Sequence, residues 1–343
     1  MLDIKFIRKH PDLIKEGCKK KQVKVDIDRL LEIDKKRRET LQALEDMRSQ
    51  KNKASKQIAA TKNEKEKQKI ILQMRELDKN SDRLNKTLKA LTDEFNNLMR
   101  QIPNLPLEDV PVGKDESENV VLRETGERPK FDFTLKDHLE IGEALDIIDT
   151  KRAAKVSGTR FGYLKNEAAL LEFALMNFAF DFLTKEGFIP VVPPVMIKPE
   201  MMEGMGYVER GREEMYSIEK DNFYLVGTSE QIIGPMHTGE IFEEKELPKR
   251  YAGFSTCFRK EAGSYGKDTR GIFRVHQFDK VEMFIFCKPE ESIREHQLLL
   301  SIEEKLMQEL KLPYRVVQMC TGDLGDPAVA KYDIEAWLPS QDR

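Results

Sequence analysis

Residues 253–286 read GFSTCFRKEAGSYGKDTRGIFRVHQFDKVEMFIF, two strand-like runs on either side of a polar, Gly-rich loop from Ala262 to Gly271. Side chains alternate faces along a strand. Arg259 and Glu261 therefore share a face in the first run, and Arg274, His276, Phe278, Lys280 and Glu282 share one in the second. Paired as a hairpin, the runs would put two arginines, two carboxylates and an aromatic ring on one sheet surface. The neighbourhood is mostly apolar: Phe254, Phe258, Phe273, Val275, Val281 and Met283. Guanidinium forks suit phosphate and have no proton to lose, a phenyl ring suits stacking on a base, and a carboxylate suits an ammonium group. The pattern describes a nucleoside triphosphate site with an amine-bearing second substrate. An ion-paired sheet face open to solvent is the plainer alternative, and spacing alone leaves both open.

The rest of the chain frames that hairpin. At 343 residues it is too long for one ordinary domain and is expected to hold two. There is no run of about 18 apolar residues and no apolar leader in MLDIKFIRKHPDLIKEG, so neither a membrane span nor a secretory signal is expected. Cys18, Cys257, Cys287 and Cys320 are scattered and make no CxxC pair, so neither a disulfide framework nor a zinc knuckle is indicated and the cytoplasm is the default expectation. The histidines are equally dispersed, and His237 and His276 read as hydrogen-bonded structural residues. No metal-binding set is visible.

Charge is uneven. Residues 26–100 hold 19 Lys/Arg against 14 Asp/Glu, a net of +5, and the remainder holds 39 against 47, a net of −8. A basic module is attached to an acidic one. Between Pro11 and Pro103 there is no proline, and Gly17 is the only glycine. Ile70, Met74, Leu77, Ser81, Leu84, Leu88, Leu91, Phe95 and Leu98 keep a strict heptad. Leu30, Ile33, Arg37, Thr40, Leu44, Met47, Lys51, Ala54 and Ile58 keep a looser one. TKNEKEK (61–67) separates them. Two heptad helices joined by a polar link predict an antiparallel coiled-coil hairpin, roughly 54 Å long for helices of about 36 residues. From Arg48 to Lys69 there are eight Lys/Arg and two Glu. Such a tip is either a solvated helix surface or a clamp for a phosphate backbone.

Residues 1–25 are expected to form a strand or turn and then a short helix started by Pro11. Residues 101–165 read as a linker: IPNLPLEDVPVGKDESENV and RETGERPKFDF as loops, a short helix over 135–148, and FGYL (161–164) as a strand after the VSGTR turn. Asn166 is read as the cap of a helix through Glu167–Lys185, ended by Gly187, with a Pro-restricted strand over 188–195 to follow. FYLVGTSEQ (223–231) is a strand running into a polar loop, or equally a helix N-cap with Thr228 or Ser229 capping. Residues 289–312 are an amphipathic helix, followed by strands YRVVQMC and YDIEAWLP, which are expected to close a mixed, mainly antiparallel sheet. The fold class is thus α+β: an arm over 1–103, a linker and start of the core over 104–165, and a core over 166–343.

F-R-K-E, a loop, and F-R-V-H-Q-F-D-K-V-E together resemble motif 2 of class II aminoacyl-tRNA synthetases, and HQFDKVEMF is similar to the seryl-tRNA synthetase version, bacterial type. The order of arm then core supports that resemblance. It implies a serine–tRNA ligase: L-serine and ATP give seryl-adenylate, and the seryl group passes to tRNA(Ser). It implies that Arg259 and Glu261 act in catalysis and that Arg259, Lys260, Glu261, Arg274, Val275, His276, Gln277 and Phe278 line ATP. By the same resemblance Thr228, Ser229, Glu230 and Glu282 hold serine, and Lys51, Lys53, Lys56, Lys267 and Arg270 meet tRNA. The 166–195 unit resembles motif 1, which implies a homodimer. Mg2+ is the expected companion of ATP, with its protein ligand beyond Arg343. A third motif, absent up to Arg343, would follow, so residues 1–343 are expected to be an incomplete, inactive and poorly soluble catalyst with open sheet edges. Two alternatives stand beside the enzyme: a non-catalytic synthetase-like regulator or coiled-coil tRNA-binding fragment, and a paralogue that loads a carrier protein. The intact hairpin argues against the first and the basic arm against the second.

Overall fold

The computed structural model describes residues 2–207, 212–262 and 271–342, and these fall into two compact units. One is Met1–Asn119 with Met319–Lys331, and the other is Val120–Gln318 with Tyr332–Arg343.

In the first unit, the N-terminus is helical where a strand or turn was expected. α1 (Ile4–Lys9) starts because the Asp3 side chain accepts the Lys5 N–H, and Ile7 is fully buried. The apolar spacing at 4, 6 and 7 suits either period over so short a run, and the cap decides. α2 (Pro11–Lys20) follows with proline at its first position. α3 (Ile27–Ala60) and α4 (Glu64–Arg100) form the hairpin. At 34 and 37 residues they are each about 51–56 Å long. The link is shorter than expected: Asn63 caps α4 by accepting the Lys65 N–H, so 64–67 is helix. Every heptad position named above is buried or half-buried. Toward the base, Leu30, Ile33, Phe95 and Met99 pack with Ile7, Ile14 and Ile27 into one core. Arg37, a polar intruder in the heptad, lays its guanidinium 4.2 Å from the Phe95 ring centre. Asp34, 1% exposed, receives Arg8 and Arg38. Burial works against its charge, but those guanidinium bonds prevail and hold its carboxyl below the ordinary carboxylate range. The excursion 319–331 joins this unit through Lys21, whose buried ammonium donates to the carbonyls of Gly325, Asp326 and Ala328 at 2.6–3.2 Å.

The second unit begins inside the stretch read as a linker. β1 (Val120–Thr125) pairs antiparallel with β10 (Tyr314–Gln318), which pairs antiparallel with β11 (Tyr332–Ala336). Half of VVLRET is polar and its partner lies nearly 200 residues on, so nothing local announced it. β10 and β11 accordingly sit in a sheet of their own rather than closing the one that holds the 253–286 hairpin. α5 (His138–Ala144) carries a capping box between Asp137 and Glu140. α6 (Thr150–Ser157), unforeseen, is capped by Asp149. β2 (Ile148–Asp149) pairs with β3 (Tyr163–Leu164). α7 (Asn166–Lys185) ends at Gly187, whose φ of +85° suits only glycine without strain.

β8 (Lys249–Phe258) and β9 (Gln277–Phe286) make the expected antiparallel hairpin, and β4 (Ile189–Val191) pairs parallel with β8 on the other side. A further three-stranded sheet is β5 (Met196–Ile197), β7 (Phe223–Leu225) and β6 (Ser217–Ile218) in that order. The helix Ser292–Glu309 packs behind β9, where Leu298, Leu299 and Ile302 meet Val281, Met283 and Leu183. Arg250 of β8 makes a two-pronged bond at 2.8–3.0 Å to Glu295, which is almost fully buried. That pair fixes the helix on the sheet.

Candidate active site

The register sets the site. Gly253 lies opposite Glu282, Ser255 opposite Lys280 and Cys257 opposite Phe278, so Phe278, Lys280 and Glu282 share one face of β9. The loop after β7 lies against that face. Ser229 is fully buried, with its hydroxyl 2.7 Å from that of Ser255 and 3.4 Å from the Gly253 carbonyl. Gly253 is needed here, because a Cβ would stand 2.4 Å from Ile233 Cδ1 and 3.1 Å from Ser229 Cβ.

With the loop seated, Thr228 Oγ1 donates to Glu282 Oε2 at 2.5 Å and accepts from Lys280 Nζ at 3.1 Å. Lys280 also pairs directly with Glu282. The Glu230 N–H reaches Thr228 Oγ1 at 3.3 Å, and the short helix Glu230–Ile233 follows with Ser229 at its N-cap position but no side-chain cap bond. Burial raises the pKa of the Glu230 carboxyl, the hydroxyl of Tyr207 opposes that, and the nearby Glu282 charge adds to it. Tyr207, desolvated beside Glu230, is itself pushed up. Two carboxylates converging with one short of a cation make a pocket that gains from a positive guest.

Arg259 follows β8 directly. Its Nε donates to the Gly227 carbonyl at 3.1 Å and its guanidinium carbon stands 5.1 Å from the Phe278 ring centre. A Cβ on Gly227 would press on Arg259 at 3.3 Å. Glu261 and Arg274 lie beyond the strand ends, not on them, so the simple alternation that placed them on the sheet face does not apply. They meet through a 2.6 Å bond from Arg274 Nη1 to Glu261 Oε2. His276 joins the ends: Arg259 N–H donates to its carbonyl, and its Nδ1 is 3.0 Å from the Arg259 carbonyl. Lys260 is exposed, with its ammonium 5.7 Å from the Tyr216 ring centre. Val275 is half-buried and Gln277 exposed.

Arg259, Phe278, Thr228, Glu230 and Glu282 are therefore brought together, with Glu261 and Arg274 joined to them through the Arg259–His276 backbone pairing. Ser229 is in the loop but its hydroxyl is spent on the sheet. Lys267 and Arg270 lie outside the described residues. In the arm, Lys53 and Lys56 are exposed, whereas Lys51 is ion-paired with Asp78 across the hairpin. Sequence reasoning gave no role to Tyr207 or Lys280. Lys280 was on the correct strand face, while Tyr207 is linked to Glu230 only by tertiary folding. Among the described residues no group of three or more His, Cys, Asp or Glu is placed to hold a metal ion.

Residues 1–106 match the family described as seryl-tRNA synthetase N-terminal domain, and residues 214–343 match the tRNA synthetase class II core domain (G, H, P, S and T). The serine–tRNA ligase of Dictyoglomus turgidum is 42% identical over 345 residues, covering 99% of this chain and 81% of the relative. That of Thermobifida fusca is 43% identical, covering 100% of this chain and 81% of the relative. Among solved structures, seryl-tRNA synthetase from Pyrococcus horikoshii complexed with ATP superposes with a TM-score of 0.90 at 39% identity, over 100% of this chain and 82% of that one. The cytoplasmic enzyme of Naegleria fowleri in complex with AMP gives 0.84 at 33%, over 99% and 80%. The expectation of an inactive chain gains no support from matches of this extent. By these identities, and by the arm and hairpin just described, the chain belongs to the seryl-tRNA synthetase family, the serine–tRNA ligases of class II.

Proposed function

We propose that this ligase binds the ammonium of L-serine between Glu230 and Glu282, with Thr228 as the third contact, and binds ATP along Arg259, Glu261, Arg274 and Phe278. The observation that carries the reading is the convergence of two carboxylates, one with a raised pKa, beside an arginine lying over an aromatic ring. An ammonium between the carboxylates restores the charge that burial and mutual repulsion oppose. The serine carboxylate then attacks the α-phosphorus in line, the bond from that phosphorus to the β-phosphate oxygen breaks, and pyrophosphate leaves. That step needs positioning and charge stabilisation rather than a protein nucleophile. Arg259 faces the α-phosphate and Phe278 offers its ring to adenine, while the Glu261–Arg274 pair holds the remainder of the nucleotide. Mg2+, when bound with ATP, offsets triphosphate charge, and the guanidinium groups named here supply the chain's own share. Ser229 supports the loop from beneath, and Lys260, Val275, His276 and Gln277 complete the nucleotide wall.

In the second step a terminal ribose hydroxyl of tRNA(Ser) takes the seryl group and AMP leaves, with the tRNA held by the arm through exposed cations such as Lys53 and Lys56, and Lys51 available only when it leaves Asp78. Lys267 and Arg270 are assigned to the acceptor end by resemblance. The enzyme works in the cytoplasm, in keeping with four cysteines that form no disulfide. Among the described residues no helix is long and apolar enough to cross a membrane. It works as a homodimer whose contact includes α7 and the segment that runs through β4 to Val192, where Leu170, Phe173 and Val192 are 60–78% exposed. The test is charging of tRNA with labelled serine by the protein and by a form lacking residues 34–91. The full protein is expected to charge tRNA, and the armless form to keep adenylate formation while losing tRNA affinity. Equal tRNA affinity in both would remove the arm from this account.

A further inference from the structure

The VSGTR turn has so far been only a connection between α6 and β3. We propose that Arg160, in that turn, is a positioning residue that sets the separation of the two chain ends carrying Glu261 and Arg274. Its Nη1 donates to the Glu261 carbonyl at 2.9 Å, and its own carbonyl accepts the His276 N–H at 3.0 Å. One residue thus holds both sides of the hairpin mouth, once by side chain and once by backbone.

The backbone supports this. Arg160 has φ of +60° and Glu261 φ of +51°, the left-handed region that non-glycine residues rarely adopt. Strained positions of this kind persist where surrounding contacts over-determine them, and they gather at functional sites. Here two such residues are bonded to each other. The mouth is braced elsewhere too. The Glu214 carbonyl accepts the Lys260 N–H at 2.8 Å and its carboxylate accepts the Ala262 N–H at 2.9 Å. His138 Nε2 lies 3.4 Å from the Ile272 N–H, and the Phe161 ring centre is 5.3 Å from that of His276. Those Glu214 bonds reach the first side and the His138 and Phe161 contacts the second, while Arg160 bonds to both, beside the Arg259–His276 pairing that joins them directly. The Arg274–Glu261 bond forms only if those sides stay in register. Arg160 therefore acts on the nucleotide through Glu261 and Arg274.

This rests on the reading of Glu261 and Arg274 as nucleotide-binding, and the test separates the two. Arg160→Met keeps the apolar stem and removes the donor, and Arg160→Lys keeps a cation that can reach one carbonyl. Serine-dependent ATP–pyrophosphate exchange is measured for both, and for Glu261→Gln, with ATP and serine varied separately. Arg160→Met is expected to raise the KM for ATP about tenfold or more, the scale of one charge-assisted hydrogen bond, and to leave the KM for serine within about twofold. Arg160→Lys is expected to recover part of that loss. An unchanged ATP KM in Arg160→Met, with a raised one in Glu261→Gln, would overturn the proposal and leave the nucleotide site standing. No effect in either variant would overturn both. Parallel loss of ATP and serine binding with a lowered Tm, unrescued by lysine, would make Arg160 structural only.

Discussion

Replacing Glu282 by Gln keeps its shape and removes one charge from the ammonium pocket. In the free site the Glu282 carboxylate already accepts from Thr228 at 2.5 Å and pairs with Lys280. The amide oxygen of the Glu282→Gln variant could still accept from Thr228, so the loop should remain seated. What goes is the charge-assisted bond to the substrate ammonium, worth roughly 1.5–3 kcal/mol, or about 10- to 100-fold in affinity. Lys280, relieved of its partner, would repel that ammonium and push the effect toward the upper end. ATP should be spared within about twofold, because Arg259 is held by Gly227 and Phe278 rather than by Glu282. The assay is pyrophosphate exchange with serine and ATP titrated independently, beside a thermal melt. Removing Lys280 as well, as Lys280→Met, should return part of the serine affinity, because the repulsion then disappears. An equal loss for serine and ATP would show Glu282 to be a structural residue, and an unchanged serine KM would refute the pocket outright.

Three further outcomes follow from the same geometry. Glu230 has a raised pKa in the folded protein, so its carboxylate is lost on acidification earlier than an ordinary one near about 4.3. The KM for serine should therefore rise as pH falls through that raised pKa. Tyr207→Phe, which removes the bond favouring the charged form, should move the rise to higher pH, and a shift the other way would refute the assignment. The same raised pKa favours the folded state when Glu230 is protonated, a contribution present below its unfolded pKa and lost as pH rises through the folded one. The acid limb thus belongs to binding, not unfolding. Gly253→Ala should cost about 1–3 kcal/mol by overpacking against Ile233 and Ser229, read by denaturant titration. Lys53→Ala with Lys56→Ala should reduce the slope of log tRNA affinity against log salt by up to about one for each phosphate no longer neutralised, and an unchanged slope would remove those cations from the interface.

The arm was legible because its information is periodic: the heptad positions are the ones that the folded hairpin covers. The β8–β9 hairpin was legible because alternation survives along ten-residue strands. Alternation failed at Glu261 and Arg274, which lie past the strand ends, where Glu261 turns into left-handed backbone. β1 was hidden because half its side chains are polar and its pairing partner is β10, far along the chain. The bond between Tyr207 and Glu230 was hidden for a related reason, since a hydroxyl's partner depends on tertiary approach rather than on local pattern. The site residues themselves came largely from resemblance to a family motif. The physics of charge and stacking agreed with that motif but left a solvent-exposed ion-paired face equally open.

The most direct test of the central claim is ATP–pyrophosphate exchange by the protein across single amino acids. L-serine should support exchange, and an analogue lacking the α-ammonium should not, because the Glu230–Glu282 pocket then has no cation to hold. Exchange that proceeds equally with the deaminated analogue, or with another amino acid and not with serine, would contradict the account.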